Sequence, residues 1–171
     1  TPRTDIEAIA AGTRVREARR KLLEAGHSIT YLANYDDPGI GLDWIQEVYD
    51  DGTWDTGTYG IGYELTPTGG ANDLIQTDVA TGAYSVYTRA TFVIDDLAEV
   101  QNMFLGADFD DGIVVWINGV EVYRSAQIPT GTPLWDTNAI SHESSNGAYP
   151  DYRPYTDISA LGIGAIHTGV N

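Results

Sequence analysis

The sequence contains no cysteine. That excludes disulfide frameworks, thiol nucleophiles and cysteine-ligated zinc. Lysine occurs once, as Lys21. The histidines, His27, His142 and His167, lie far apart and lack the spacing of metal ligands. No apolar run approaches the ~18 residues a membrane-crossing helix needs. The first residues lack the charged-then-apolar pattern of a signal peptide, which a mature secreted chain would already have lost. There is no phosphate-binding loop, dinucleotide fingerprint or H-E-x-x-H helix. Ser141-His142-Glu143 holds the residue types of a triad, but adjacent side chains do not converge, and no G-x-S-x-G elbow accompanies them. It reads as a polar loop. The chain is therefore expected to be non-catalytic.

Cations are scarce too, and unevenly placed. Residues 1–26 carry six cations and four acids, a net +2, whereas residues 27–171 carry 21 acids and only Arg89, Arg124 and Arg153, a net -18. Such a body repels nucleic acid and anionic membranes. The acid excess serves solubility, and few lysines with many aspartates suit a salty extracellular setting. With 171 residues the chain forms one domain, or one domain and an arm, and buries roughly 70% of its extended surface.

What is present is organised around residues 108–124. Ile113, Val114, Val115, Trp116 and Ile117 form a run apolar on both faces, a strand expected to be covered on both sides. Asn118-Gly119 follows, and Val120 to Arg124 returns with alternating character. Asn-Gly between two such runs predicts a hairpin with a type I′ turn, whose central residues both need positive φ. Asp110-Asp111-Gly112 makes the turn that feeds the first strand.

Thr4 and Glu7 fit a capping box, and the following Ala-, Arg-, Glu- and Leu-rich stretch predicts a helix over residues 5–25, broken or frayed near Gly12 and stopped by Gly26. Val15, Ala18 and Leu22 fall on one helical face among Arg14, Arg16, Arg19, Arg20 and Lys21. Residues 1–26 thus read as a basic amphipathic arm that packs on its own domain or docks on the acidic body of a neighbour. From residue 28 the pattern turns to β, with strands expected over 29–33, 59–63, 84–94, 99–106 and 155–158, a helical turn or loop over 159–166, and loops at 36–39, 66–73 and 130–154. Short strands, many Gly and Asp turns and almost no helix after Gly26 describe a mainly β, antiparallel two-sheet jelly-roll sandwich over residues 27–171.

Several blocks occur in a telling order. They are Leu23-Glu24-Ala25-Gly26 before Ile29-Thr30-Tyr31-Leu32, then Leu42-Asp43-Trp44, Asp50-Asp51-Gly52-Thr53-Trp54, Gly57, Gly60-Ile61-Gly62-Tyr63 and Tyr87-Thr88-Arg89-Ala90-Thr91-Phe92, with the 110–124 hairpin last. In order and spacing they resemble the galactose-binding-like jelly-roll domains appended to secreted bacterial enzymes and surface proteins, over about residues 23–171. The resemblance implies a two-sheet sandwich, usually non-catalytic and often carbohydrate-binding, in which some members hold a structural calcium. It also implies a last apolar strand after Gly169-Val170-Asn171, where this sequence stops. A sandwich lacking one strand exposes two unpaired edges and invites pairing with another chain. A cut fragment, a strand held elsewhere, or a gap filled by the N-terminal arm or a neighbour each account for this.

Calcium takes six to eight hard oxygens, and Asp108, Asp110 and Asp111 cluster before the hairpin, with Asp36 and Asp37 or Asp50 and Asp51 able to join them in space. The alternative is that these aspartates cap turns. Sugar binding needs an aromatic platform and planar hydrogen-bonding groups. Trp135, Tyr149, Tyr152, Arg153 and Asn138 are the candidates, because residues 130–154 are loop-rich and binding residues concentrate in loops. Trp54 and Trp116 are assigned to the core. The sequence thus predicts an extracellular or cell-surface binding module, carbohydrate its expected partner. The alternative is a self-assembling subunit of a surface filament or sheath, closed by strand or helix donation between protomers.

Overall fold

The computed structural model describes residues 4–10, 13–66 and 68–171, with residues 4–18 described by backbone alone. Its strands are β1 (Thr4–Ala10), β2 (Thr13–Ala18), β3 (Ser28–Asn34), β4 (Asp55–Thr58), β5 (Ile61–Gly62), β6 (Thr77–Asp78), β7 (Ser85–Arg89) and β8 (Val93–Ile94). They continue with β9 (Phe104–Leu105), β10 (Val114–Ile117), β11 (Val120–Arg124), β12 (Thr156–Asp157) and β13 (Gly169–Val170), with one helix, α1 (Ser159–Ala165). The chain is mainly β. A three-stranded antiparallel sheet has the order β4–β3–β7, and the remaining strands pair in twos. Only β5 and β6 pair in parallel among the described strands.

The central hairpin forms as predicted. Val114 opposes Arg124 and Ile117 opposes Val120, and Asn118 and Gly119 take φ of 47° and 84°. A bulge between Val115 and Trp116 shifts the register. The strand expected over 84–94 is two pieces, β7 and β8. Phe92 lies between them and exchanges both backbone bonds with Asn171. The strand expected over 99–106 shortens to β9, because Asp96 caps a 3₁₀ turn at Leu97–Glu99 by accepting from the Ala98 amide at 2.9 Å.

The helix expected over residues 5–25 is not the path of the backbone. Residues 4–10 and 13–18 run as the antiparallel pair β1–β2, with Glu7 opposite Arg16 and Ala10 opposite Thr13. Residues 5–8 alternate in sequence (Asp5, Ile6, Glu7, Ala8), and this short period-2 pattern competes with the helical one. The break expected near Gly12 lies outside the described residues. Residues 19–25 are drawn out by long-range contacts instead. Arg20 pairs with Asp95 at 2.5 Å, Leu22 packs on the core, and the Ala25 amide donates to the Tyr152 hydroxyl at 2.9 Å.

Two packed centres hold the body. One is aliphatic: Ile94, Met103, Val122, Ile158 and Ile166 are buried together, with Leu22, Leu105, Val115, Ile117 and Ile163 against them. Helix α1 packs on β11, and at Gly162 it comes so close that an added Cβ would lie 3.1 Å from the Met103 sulfur. The other centre is aromatic. Buried Trp44 stacks on Tyr87 with ring centroids 4.3 Å apart and meets Trp116 edge-on at 5.5 Å and Trp54 at 6.2 Å. The assignment of Trp54 and Trp116 to the interior agrees with this cluster.

Arg89 locks the aromatic centre. From β7 its guanidinium pairs with Asp51 at 3.0 Å and donates to the backbone carbonyls of Trp44, Gln46 and Glu47. Asp51 also accepts from the Thr30 hydroxyl at 2.6 Å. Although partial burial opposes it, these donors and the Arg89 charge hold the Asp51 carboxyl below the usual aspartate range. Arg89→Ala should lower the unfolding free energy by about 2–4 kcal/mol, since it strands a carboxylate and several carbonyls. Arg89→Lys should recover part of the loss. Urea unfolding followed by tryptophan fluorescence measures both.

Candidate functional site

A cleft of about 300 Å³ opens beside the aromatic centre, at the lower end of the range for ligand pockets. Three parts of the chain build it. The loop after β3 supplies Asp37, Pro38 and Leu42, β7 supplies Tyr87, and the loop after β11 supplies Pro133 and Trp135.

Local chemistry fixes each wall. Asp37-Pro38-Gly39 turns because the Asp37 carboxylate accepts from the Gly39 amide at 2.8 Å and Gly39 takes φ of 70°, an Asx-type turn. Tyr87 is held from behind by the Trp44 stack. The Trp135 wall hangs on a relay: Asn34, buried in β3, donates to the Ser85 hydroxyl at 3.0 Å, and Ser85 donates to the Trp135 carbonyl at 2.6 Å. The Thr137 hydroxyl accepts from the Leu134 amide at 2.6 Å and closes the turn. Tyr84, largely exposed, meets Trp135 edge-on with centroids 5.3 Å apart. The site therefore offers aromatic surface, the Tyr87 and Thr132 hydroxyls and the Asp37 carboxylate. Partial burial, then the Asp37 and Asp136 carboxylates, push the Tyr87 phenol above its ordinary pKa, so it is a hydrogen-bond donor at neutral pH.

Of the five predicted sugar-binding residues, only Trp135 lines the cleft. The Tyr152 hydroxyl accepts from the Ala25 amide and ties the N-terminal segment to the body. Arg153 pairs with Asp151 at 3.0 Å. Tyr149 is 85% exposed, and Asn138 is exposed as well.

Of the aspartates considered for calcium, Asp108, Asp37 and Asp51 have carboxylates that accept from groups of the chain itself. Asp108 accepts from the Ser145 amide at 2.7 Å, the Ser145 hydroxyl at 2.5 Å and the Asp151 amide at 2.9 Å. Asp111 takes φ of 57°, and its amide donates to the His142 carbonyl at 2.8 Å. The His142 ring stacks on Phe109 at 4.5 Å. Asp37 is engaged by Gly39 and Asp51 by Arg89 and Thr30. Among the described residues no three carboxylate or histidine side chains stand together as cation ligands.

Sequence reasoning missed Asp37, Leu42 and Tyr87 as cleft residues. Asp37 and Tyr87 are 50 positions apart and Tyr87 and Trp135 another 48, and no local pattern joins them. The available signal was the Asp-Pro-Gly turn, which places a carboxylate on a loop. No known protein family, no curated protein and no solved structure matches the chain.

Asp110 carries a pH signature. Partial burial, then the neighbouring Asp111 and Glu143 carboxylates, hold its carboxyl above the ordinary range. The fold thus favours its protonated form. Its stabilising contribution is complete below the unfolded value of about 3.9 and is lost as pH rises through the folded value. Asp110→Asn should therefore raise the melting temperature at pH 7 and change it less at pH 3, as thermal melts at the two pH values will read.

Proposed function

We propose that this chain is a non-catalytic binding module of the extracellular space or cell surface, a jelly-roll sandwich that binds carbohydrate in the cleft beside Trp135. The observation that carries this is the cleft, where the Trp135 and Tyr87 rings stand with the Asp37 carboxylate. A pyranose has one apolar C–H face and a rim of hydroxyls. An aromatic wall takes the face, and a carboxylate with a phenol takes the rim, the few placed polar groups that give a pocket its specificity. The Asn34–Ser85 relay supports the reading, since it fixes the Trp135 backbone before any ligand arrives; such preorganisation lowers the cost of binding. Trp135→Ala should reduce retention on an immobilised polysaccharide by about tenfold or more, a loss of ~1.4 kcal/mol, with the melting curve unchanged. Unchanged retention on every glycan tried rejects the reading.

A second reading, self-assembly by strand donation between protomers, is favoured by a different observation. The β1–β2 hairpin pairs with no other described strand, and β7 and β10 each stand at the end of a sheet. Two-stranded hairpins are marginal by themselves, and exposed edges are templates for pairing. The net +2 of residues 1–26 also complements the net -18 of the remainder. Under this reading light scattering detects polymers of the full chain, and deletion of residues 1–18 returns them to a monomer while sparing the Arg20–Asp95 pair. A full chain that is monomeric at high concentration, or a deletion that still polymerises, excludes it.

A further inference from the structure

The cleft offers acceptors and donors but no positive charge. Among its lining residues the only ionisable groups are the Asp37 carboxylate and the Tyr87 phenol. One Asp37 oxygen accepts from Gly39; the other has no partner among the described residues. Asp136 follows Trp135 directly, and its carboxylate acts on Tyr87 together with that of Asp37, so negative charge reaches the cleft from both loop walls. The body's cations are spent elsewhere: Arg89 on Asp51, Arg124 on Glu121 and Arg153 on Asp151.

We infer that the cleft selects cationic amino sugars over neutral and acidic ones, an inference that rests on the carbohydrate reading above. A pyranose ring stacked on Trp135 presents its equatorial substituents to the walls. A hydroxyl there donates to the Asp37 carboxylate with charge on the acceptor alone, whereas an ammonium group donates with charge on both partners and forms an ion pair, and its charge is attracted further to the indole face. An N-acetyl group at the same carbon removes the charge. A uronate carboxylate meets the like charge of Asp37 and no guanidinium.

The test is calorimetric titration of the full chain at pH 6 with four probes: the glucosamine pentamer, the N-acetylglucosamine pentamer, the glucose β-1,4 pentamer and a galacturonate pentamer. The glucosamine pentamer should bind about tenfold tighter than the two neutral pentamers, and the galacturonate pentamer not at all. Asp37→Asn should remove the tenfold preference, so that the glucosamine and neutral pentamers bind about equally; a preference that survives this substitution overturns the inference. Asp78→Asn, the same charge change on β6 outside the cleft lining, should leave the preference intact. Equal affinity for charged and neutral pentamers, or binding of galacturonate, overturns the inference but leaves the carbohydrate reading standing. Equal loss of preference in Asp78→Asn assigns it to overall charge and also overturns the inference. Binding of none of the four overturns both.

Discussion

The fold depends on how one guanidinium is used. Residues 43–54 contain a single 3₁₀ turn and no strand, so no ladder secures them. Arg89 does so from β7, through one carboxylate and three carbonyls. Its planar fork of donors suits several acceptors at once, which a lysine ammonium would satisfy less well. With this loop fixed, Trp44 lies on Tyr87 and against Trp116 and joins the three-stranded sheet to the central hairpin. Aromatic pairs of this kind contribute about 0.5–1.5 kcal/mol each beyond their buried area. They offset the Trp44 indole N–H, which is buried with no acceptor among the described residues and costs about 1–3 kcal/mol. Tyr87, the residue under that stack, is also the wall of the cleft. The site is therefore only as rigid as the Arg89 lock.

Similar polar knots recur where the ladders run out. Most strands here are two to five residues long, too short to fix their own relative positions. The side chain of buried Asn171 accepts from Asn118 at 3.0 Å and from the His167 amide at 2.8 Å, and donates to the carbonyls of His167 and Gly169. Asn118 also donates to the Ala165 carbonyl at 2.9 Å. One amide thus binds the hairpin turn, the end of α1 and the β13 segment together. Asp108 does the same for residues 145–151. Each knot pairs backbone groups that no strand ladder reaches, so a few side chains replace the cooperativity of a long sheet.

What could be read from the sequence follows from the range of the interaction. The Asn118-Gly119 turn, the Asp37-Pro38-Gly39 loop and the mainly β class depend on neighbours in sequence, and all appear. The N-terminal helix was misread because residues 5–8 satisfy two periodicities and residues 19–25 are set by Asp95 and Tyr152, more than 70 positions away. Trp135 was legible as a loop aromatic, but its companions were not, since the cleft is a product of sheet order. Arg89 stands within the strand expected over 84–94, but nothing local indicates Asp51 as its partner.

Strand β7 serves both proposed uses, through different atoms. Tyr87 reaches the cleft by its side chain, and side chains stand perpendicular to a sheet. A donated strand would pair with the outer backbone edge, in the plane of the sheet. The two uses therefore do not compete for the same groups. Pairing at that edge would restrain Ser85, whose hydroxyl holds the Trp135 carbonyl, and so would stiffen the cleft. An array of such modules would also present many copies of the cleft at high effective concentration.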